Sequence, residues 1–499
     1  MPTPPQSSAP SAASAASAAS AASAASASAT LSPSTDDGLT PLQWRGMAAI
    51  LMAVSLATLD TAIANTALPS IAADLHATPA ASVWVINAYQ LAMVATLLPL
   101  AALGGIVGHR RIYVSGVVLF LIASAICALS WSLPTLAIAR VLQGLGASAI
   151  MSVNTALISA LFPMRRLGRG LGLNALVVGT SFAVGPTVAS IILSVGTWPW
   201  LFAVNLPIGL LALSIARSAL PETPRSTHRY DRVAAGLSVV TFGALVLALG
   251  EGAQRAPMQA SLAAAGVFAI GLLLLLWRER GHPAPMFPVD LFRRPMFALS
   301  TMTAVCAFAA QGLAFVSLPF YFQTVLGRGQ VETGFLMTPW SVIVALIGPL
   351  AGRLSDRHPP GLLGGIGLAV MSVGMVSLAL LPANPAALDI TLRMCICGAG
   401  FGFFQSPNLK ALMSSAPRER SGGASGVVAT ARLLGQATGA ALVALCFGIA
   451  GRHGPTLALA VGAGFAGVAA IASGLRLVVS KDSGSEPFAA VGDGPRPTN

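Results

Sequence analysis

One carboxylate stands where a carboxylate is expensive. Asp60 lies inside the apolar stretch around 47–68, the only acidic residue well within such a stretch in the first half of the chain. A charged side chain at the centre of a bilayer costs at least ~2.5 kcal/mol, so it should face a bundle interior and meet a partner. Arg140 is the natural one. At ~1.5 Å per residue, Asp60 sits roughly 13 Å below the Pro69 end of its helix, and Arg140 about 10 Å below the Leu133 end of another. An arginine stays charged; it favours the ionised carboxylate, while burial favours the protonated one. Such a pair suits the uptake and release of a proton, which makes Asp60 and Arg140 the candidate proton-coupling residues. The competing reading is a permanent ion pair that only holds two helices together.

Other chemistry is harder to find. The six histidines all fall in expected loops or tails, and no HExxH or GxSxG occurs. The only lysines are Lys410 and Lys481, so there is no phosphate-cradling P-loop. Five cysteines (Cys127, Cys306, Cys395, Cys397, Cys446) lie in apolar segments and read as packing residues. No metal site, cofactor or enzymatic activity is expected. Arg393 has Asp389 four residues earlier on the same helix face, which reads as a snorkelling pair at the outer interface. Gly185-Pro186 should kink its helix, since proline removes a backbone donor. Gly352, Asp356 and Arg357 occupy a short loop, where Gly352 would allow close helix contact and Asp356 could latch onto the N-terminus of a facing helix.

The elements that must position these residues are membrane helices. The chain is 55% hydrophobic and 9% charged, against about 25% charged in soluble domains. Apolar runs approaching the ~20 residues of a spanning helix recur along nearly the whole sequence, whereas the alternating segments of a barrel do not appear. About fourteen helices are expected, the first near 47–68 and the last two near 424–449 and 454–475. With the N-terminus inside, the inner loops collect Arg110, Arg111, Arg165, Arg166, Arg169, Arg225, Arg229, Arg232, Arg278, Arg280, Arg293, Arg294, Arg353, Arg357, Arg418 and Arg420. The outer loops keep Arg255, Arg328 and Arg452. That asymmetry places both termini in the cytoplasm. It also accounts for the net charge of +12 without nucleic-acid binding, for which no soluble basic module exists. Residues 1–44 and 479–499 are expected to be disordered cytoplasmic tails, the first rich in Ser and Ala.

Five stretches resemble the major facilitator superfamily, and within it the fourteen-helix drug:proton antiporter branch. They are Leu59 to Pro69, Arg140 to Gly146, Gly185-Pro186, Trp198 to Gly209, and Gly352 to Arg357. The likeness extends over about residues 42–478. Two departures stand out: Gly105 and Ile106 where the family's first loop usually carries Asp and Arg, and Ser181, Ala189 and Ser190 where glycines usually flank Gly-Pro. The resemblance implies an all-α membrane protein of two six-helix halves (45–220 and 297–478) with two extra central helices in an insert (221–296). It also implies that Gly185-Pro186 is an antiporter motif packing the fifth helix against its counterpart in the other half. The expected function is proton-coupled export, across the inner membrane, of amphipathic drugs or lipophilic cations. A dedicated exporter of one metabolite (a siderophore, a biosurfactant or an amino-acid derivative) is the alternative. Partners would be a small-molecule substrate, protons and the lipid bilayer, with the chain a monomer alone or joined to periplasmic and outer-membrane efflux components. The candidate substrate-cavity residues are Tyr89, Gln90, Asn174, Gln311, Tyr321, Gln405 and Asn408.

Overall fold

The computed structural model describes residues 40–163, 166–225, 230–251, 258–279, 289–417 and 421–483. Most of both expected tails, together with Arg165, Arg229, Arg255, Arg280, Arg418, Arg420, His228 and His282, lies outside the described residues.

Every regular element among the described residues is helical. The long helices are α1 (Pro41–Asp74), α2 (Trp84–Val107), α3 (His109–Ala128), α4 (Leu133–Leu161), α5 (Leu167–Val195), α6 (Asn205–Ala219), α7 (Arg232–Glu251) and α8 (Met258–Glu279). They continue with α9 (Pro295–Phe320), α10 (Gln330–Leu354), α11 (Pro360–Ala379), α12 (Ala387–Ser415), α13 (Ser421–Ala450) and α14 (Gly454–Ser483). One-turn helices at Pro79–Ser82 and Pro199–Ala203 precede α2 and α6.

Twelve stretches among the described residues are long and apolar enough to cross a membrane, which makes this a multi-pass membrane protein. The last stretch, Gly423–Val478, takes in both α13 and α14, which a 3₁₀ turn at Gly451–His453 separates. A shorter apolar helix runs over Arg232–Leu245 within α7.

α1 begins at Pro41, inside the expected tail. Thr40 and Gln43 form a reciprocal capping box and Pro41 takes the first turn, where its missing N–H is no loss. α4 starts the same way, with Ser132 and Thr135 capping and Pro134 in the first turn. α14 runs on past the expected end at 475 to Ser483, which takes Arg476 into the helix.

Helices α1–α6 pack mainly on one another, as do α9–α14, and the pairings repeat. α1 on α5 and α6 corresponds to α9 on α13 and α14; α4 on α2 and α3 corresponds to α12 on α10 and α11. The two groups meet where α5 packs on α10, α2 on α13, and α1 on α9. α7 lies against α2 and α13 and carries α8 on its other side. Asp231 joins that hairpin: it accepts from the amides of Val233 and Ala234 and holds Arg278 in a two-pronged pair at 2.9 and 3.0 Å.

The end of the bundle bearing Asp74, Trp198 and Gln330, assigned to the outside by the charge pattern, is called distal below. The groups are joined there. Gln330 of α10 accepts from Ser70 of α1 at 2.7 Å and donates to the Leu193 carbonyl of α5 at 3.1 Å. An apolar cluster including Ile63, Leu68, Val316, Phe320, Val443 and Phe447 also spans the two groups at this end.

Candidate functional site

Asp60 is 1% exposed and Arg140 fully buried, and the two form an ion pair between Oδ2 and Nη1. The carboxylate is held by more than its counter-ion. Gln143, one turn along from Arg140, donates to Asp60 Oδ1 at 2.8 Å and accepts from Arg140 Nη1 at 2.6 Å. Asn205, at the start of α6, donates to the same Oδ1 at 3.0 Å. Ser124 of α3 accepts from Gln143 at 2.9 Å, and Arg140 Nε donates to the Val85 carbonyl at 3.0 Å. The Tyr89 ring lies under the guanidinium at 4.2 Å, and its hydroxyl donates to the Ala57 carbonyl at 3.0 Å. The cluster thus joins α1, α2, α3, α4 and α6 through one carboxylate.

Gln143, Asn205 and Ser124 have no assigned part in the sequence reading. Gln143 and Asn205 stand inside stretches that carry the family resemblance, and the three-residue step from Arg140 to Gln143 puts both on one helix face. That step was the available signal.

Two of the packed helices keep part-exposed stripes. α1 is flanked by α2, α4, α5, α6 and α9, yet Met52, Ser55 and Leu59 form a part-exposed stripe at helical spacing. On α13, flanked by α2, α7, α9 and α14, the part-exposed stripe is Ser425, Ala429, Arg432 and Gln436. Part-exposed stripes on helices flanked in this way point to a gap between them inside the bundle. Phe315 of α9 packs against Phe182 of α5 and Trp340 of α10, at 5.0 and 5.3 Å. A separate cavity of ≈ 700 Å³ lies near the distal end, lined by Thr78, Phe320, Thr324, Phe447 and Arg452 among others; none of the Asp60 cluster lines it.

The expected cavity residues are not gathered into one site. Tyr89 belongs to the Asp60 cluster, and Gln90 beside it is buried with its Oε1 unbonded. Gln311 accepts from Gln436 at 3.4 Å between α9 and α13. Asn174 instead accepts from Asn154 at 3.0 Å, tying α5 to α4. Tyr321 lies in a π-helical turn past the distal end of α9, and Gln405 is exposed. Asn408 is taken up by a second buried cluster. Its Oδ1 accepts from Arg476 Nη1 at 2.7 Å and its Nδ2 donates to the Ser300 carbonyl at 3.3 Å. Arg476 also donates to Ser300 Oγ and Ser473 Oγ. The physical reason is common to these cases: a polar group in an apolar bundle bonds to the nearest helix whether or not a substrate passes.

Gly185-Pro186 is placed differently from the expectation. A Cβ at position 185 would collide with Ala62 of α1, so this glycine seats α5 on its own group. The close crossing to the other group is with α10, not with α13. There the small residue is Gly334, whose Cβ would fall 2.5 Å from the Pro186 carbonyl and onto Ser190 Oγ. Thr187 and Thr338 share a hydrogen bond at 2.7 Å across the same crossing.

The loop after α10 also differs. Asp356 pairs with Lys410 of α12 at 2.6 Å, within one helix group, and forms no bridge between groups among the described residues. Lys410 further donates to the Ser355 carbonyl at 2.8 Å. A Cβ at Gly352 would make only ordinary contact at 3.8 Å, so close approach does not require that glycine. Arg357 makes no salt bridge among the described residues. Arg393 pairs with Asp389 at 2.9 Å.

These features define a helical transporter architecture with a buried carboxylate near its centre. The Major Facilitator Superfamily profile matches residues 50–440, and the chain belongs to that family. It is 51% identical over 444 residues to the uncharacterized transporter YebQ of Escherichia coli (strain K12), covering 88% of this chain and 97% of that protein. It is 31% identical over 410 residues to the riboflavin transporter RibZ of Clostridioides difficile (strain 630), covering 81% and 88%. It is 32% identical over 390 residues to the multidrug resistance protein Stp of Mycobacterium tuberculosis (strain CDC 1551 / Oshkosh), covering 77% and 72%.

Proposed function

We propose that this transporter is a proton-coupled exporter of amphipathic, drug-like molecules, with Asp60 as its coupling carboxylate. One observation carries the reading. Asp60 is buried against Arg140, Gln143 and Asn205, with the Tyr89 ring against the Arg140 guanidinium. Protonation of Asp60 would leave Arg140 without a countercharge and loosen the joint of five helices. Rearrangement of that joint is how proton binding would bias one access state over the other. The name of Stp, a multidrug resistance protein, supports the substrate breadth. RibZ, named for one compound at comparable identity, favours the second reading, a dedicated exporter of a single metabolite. Lipophilic cations, also expected for an apolar cavity, are included in the dye panel below.

The proposed layout keeps two six-helix halves, 45–220 and 297–478, and an insert, 221–296, with fourteen spans in all. Its support is the repeated pairing of α1–α6 and α9–α14, the break at Gly451–His453, and α7 counted beside α8. The proposal further has both termini in the cytoplasm and the protein in the inner membrane, as a monomer alone or joined to periplasmic and outer-membrane efflux components.

The test is efflux from a drug-hypersusceptible bacterium expressing the intact chain, with a panel of fluorescent amphipaths of both charges. The expected result is faster loss of at least one dye than from vector cells, abolished by a protonophore and by Asp60→Asn at equal expression. Efflux that survives Asp60→Asn but not the protonophore removes Asp60 from the mechanism. If no dye moves, the single-metabolite reading replaces this one, and metabolite profiling of a deletion strain follows.

A further inference from the structure

Two arginines flank Tyr89, and only one of them is neutralised. Arg140 lies on one side with Asp60 as its counter-ion. Arg432 of α13 is near enough for its charge to act on Tyr89 as well. Arg432 makes no salt bridge among the described residues, and its Nε is buried without a hydrogen-bond partner. Counted from Ser421 at ~1.5 Å per residue, it lies roughly 16 Å along a helix of roughly 45 Å, in the middle third. An unmatched cation at that depth is costly and marks a functional position by default.

Its surroundings are specific. Arg432 sits on the part-exposed stripe of α13 that faces the internal gap. Leu433 and Ala437, on the neighbouring face, join the apolar cluster of Tyr89 and Met93. One turn further along the stripe, Gln436 holds Gln311 through a long 3.4 Å hydrogen bond. The site therefore offers an unpaired guanidinium, two amides and an apolar wall.

We infer that Arg432 is the anchor for substrates carrying a single oxyanion, a carboxylate or sulfonate, on an apolar body. A guanidinium offers such a group a planar fork of donors, and the bound anion supplies the missing countercharge. A cationic amphipath of the same shape meets like charge at Arg432 and is rejected. The inference rests on the gap being the substrate path of the proposed exporter, and it narrows the chemical class which that path admits.

The experiment is equilibrium binding to the full chain in lipid nanodiscs. The probes are pyrene-1-butyrate and 4-(1-pyrenyl)butyl-trimethylammonium, which share a skeleton and differ in charge, read by energy transfer from tryptophan. The wild-type protein should bind the butyrate at least about tenfold more tightly than the ammonium, since one charge-assisted hydrogen bond is worth about that factor. Arg432→Gln should erase the preference and Arg432→Lys retain most of it; size-exclusion profiles identify variants that have not folded. Equal binding of the two probes by wild type, absence of butyrate binding, or an unchanged preference in folded Arg432→Gln each overturns the inference. Binding requires no proton gradient, so the outcome is distinct from that of the efflux test. An Arg432-dependent anion preference with no proton-driven efflux would sink the exporter reading and leave this one standing.

Discussion

Three variants probe the energetics of the Asp60 cluster: Asp60→Asn, Arg140→Gln, and the two together. In Asp60→Asn, Arg140 keeps the Val85 carbonyl at 3.0 Å, the Gln143 Oε1 at 2.6 Å and the Tyr89 face, but no negative charge. In Arg140→Gln, the carboxylate keeps Gln143 and Asn205 at 2.8 and 3.0 Å, but no positive one. Charge centres about 4 Å apart attract by ~4 kcal/mol at an effective dielectric of ~20. Removing one member of a buried pair costs about 3–5 kcal/mol, because the other charge is left uncompensated. The double variant strands no charge, and its amides can still bond to Gln143 and Asn205. It should therefore be at least as stable as either single variant, with a coupling of about 3 kcal/mol or more against additivity. Unfolding in graded SDS, followed by tryptophan fluorescence, reads the order. A double variant as unstable as the sum of the singles would refute the charge-pair account. Asp60→Asn matching wild type at neutral pH would show that the carboxylate is protonated at rest.

Two further predictions follow from the packing. Gly334→Val would drive a branched side chain into the Pro186 carbonyl and Ser190, an overpacking cost of about 1–3 kcal/mol. Cysteines replacing Thr187 and Thr338, whose hydroxyls are 2.7 Å apart, should cross-link in the parent and fail to do so with Gly334→Val. Asp231 is held below the usual carboxylate range, first by its hydrogen bonds to the Arg278 fork; burial opposes this, and the amides of Ala234 and Val233 at the start of α7 add to the lowering. A lowered folded-state value gives stability that is present above about pH 4 and lost as pH falls through that lowered value. Hydrogen exchange in the first turn of α7 should accordingly be flat from pH 8 to about pH 5, once corrected for intrinsic rates, and faster at every pH in Asp231→Asn.

Asp60 and Arg140 were legible as partners because depth in a membrane helix can be counted from a proline or a helix start, and each was conspicuous in an apolar run. Gln143, Asn205 and Ser124 were not, since an uncharged polar residue in such a helix bonds to a neighbour in most places and announces nothing. Arg432 and Arg476 were missed for another reason. Arg432 has no acidic residue within ten positions to mark it as half of a pair, and α14 reaches Ser483 where its apolar run suggested an earlier end. Asp389 with Arg393 was readable from four-residue spacing alone. The partner of Asp356 was not: Lys410 is distant in sequence, and only the packing of α12 on α10 brings it there. For Gly185-Pro186 the motif was visible, but the tightest crossing depended on Gly334, which no local pattern distinguishes from the many other glycines.

The hairpin α7–α8 makes the two sides of the molecule unequal. The seam between the helix groups reaches the bilayer on two flanks, one at α5 and α10 and the other at α2 and α13. α7 lies against both helices of the second flank and is itself backed by α8, whereas α5 and α10 pack on each other with no insert helix across them. Among the described residues only the α5–α10 flank meets the lipid without an insert helix over it, and the barrier there is the close Gly334–Pro186 crossing itself.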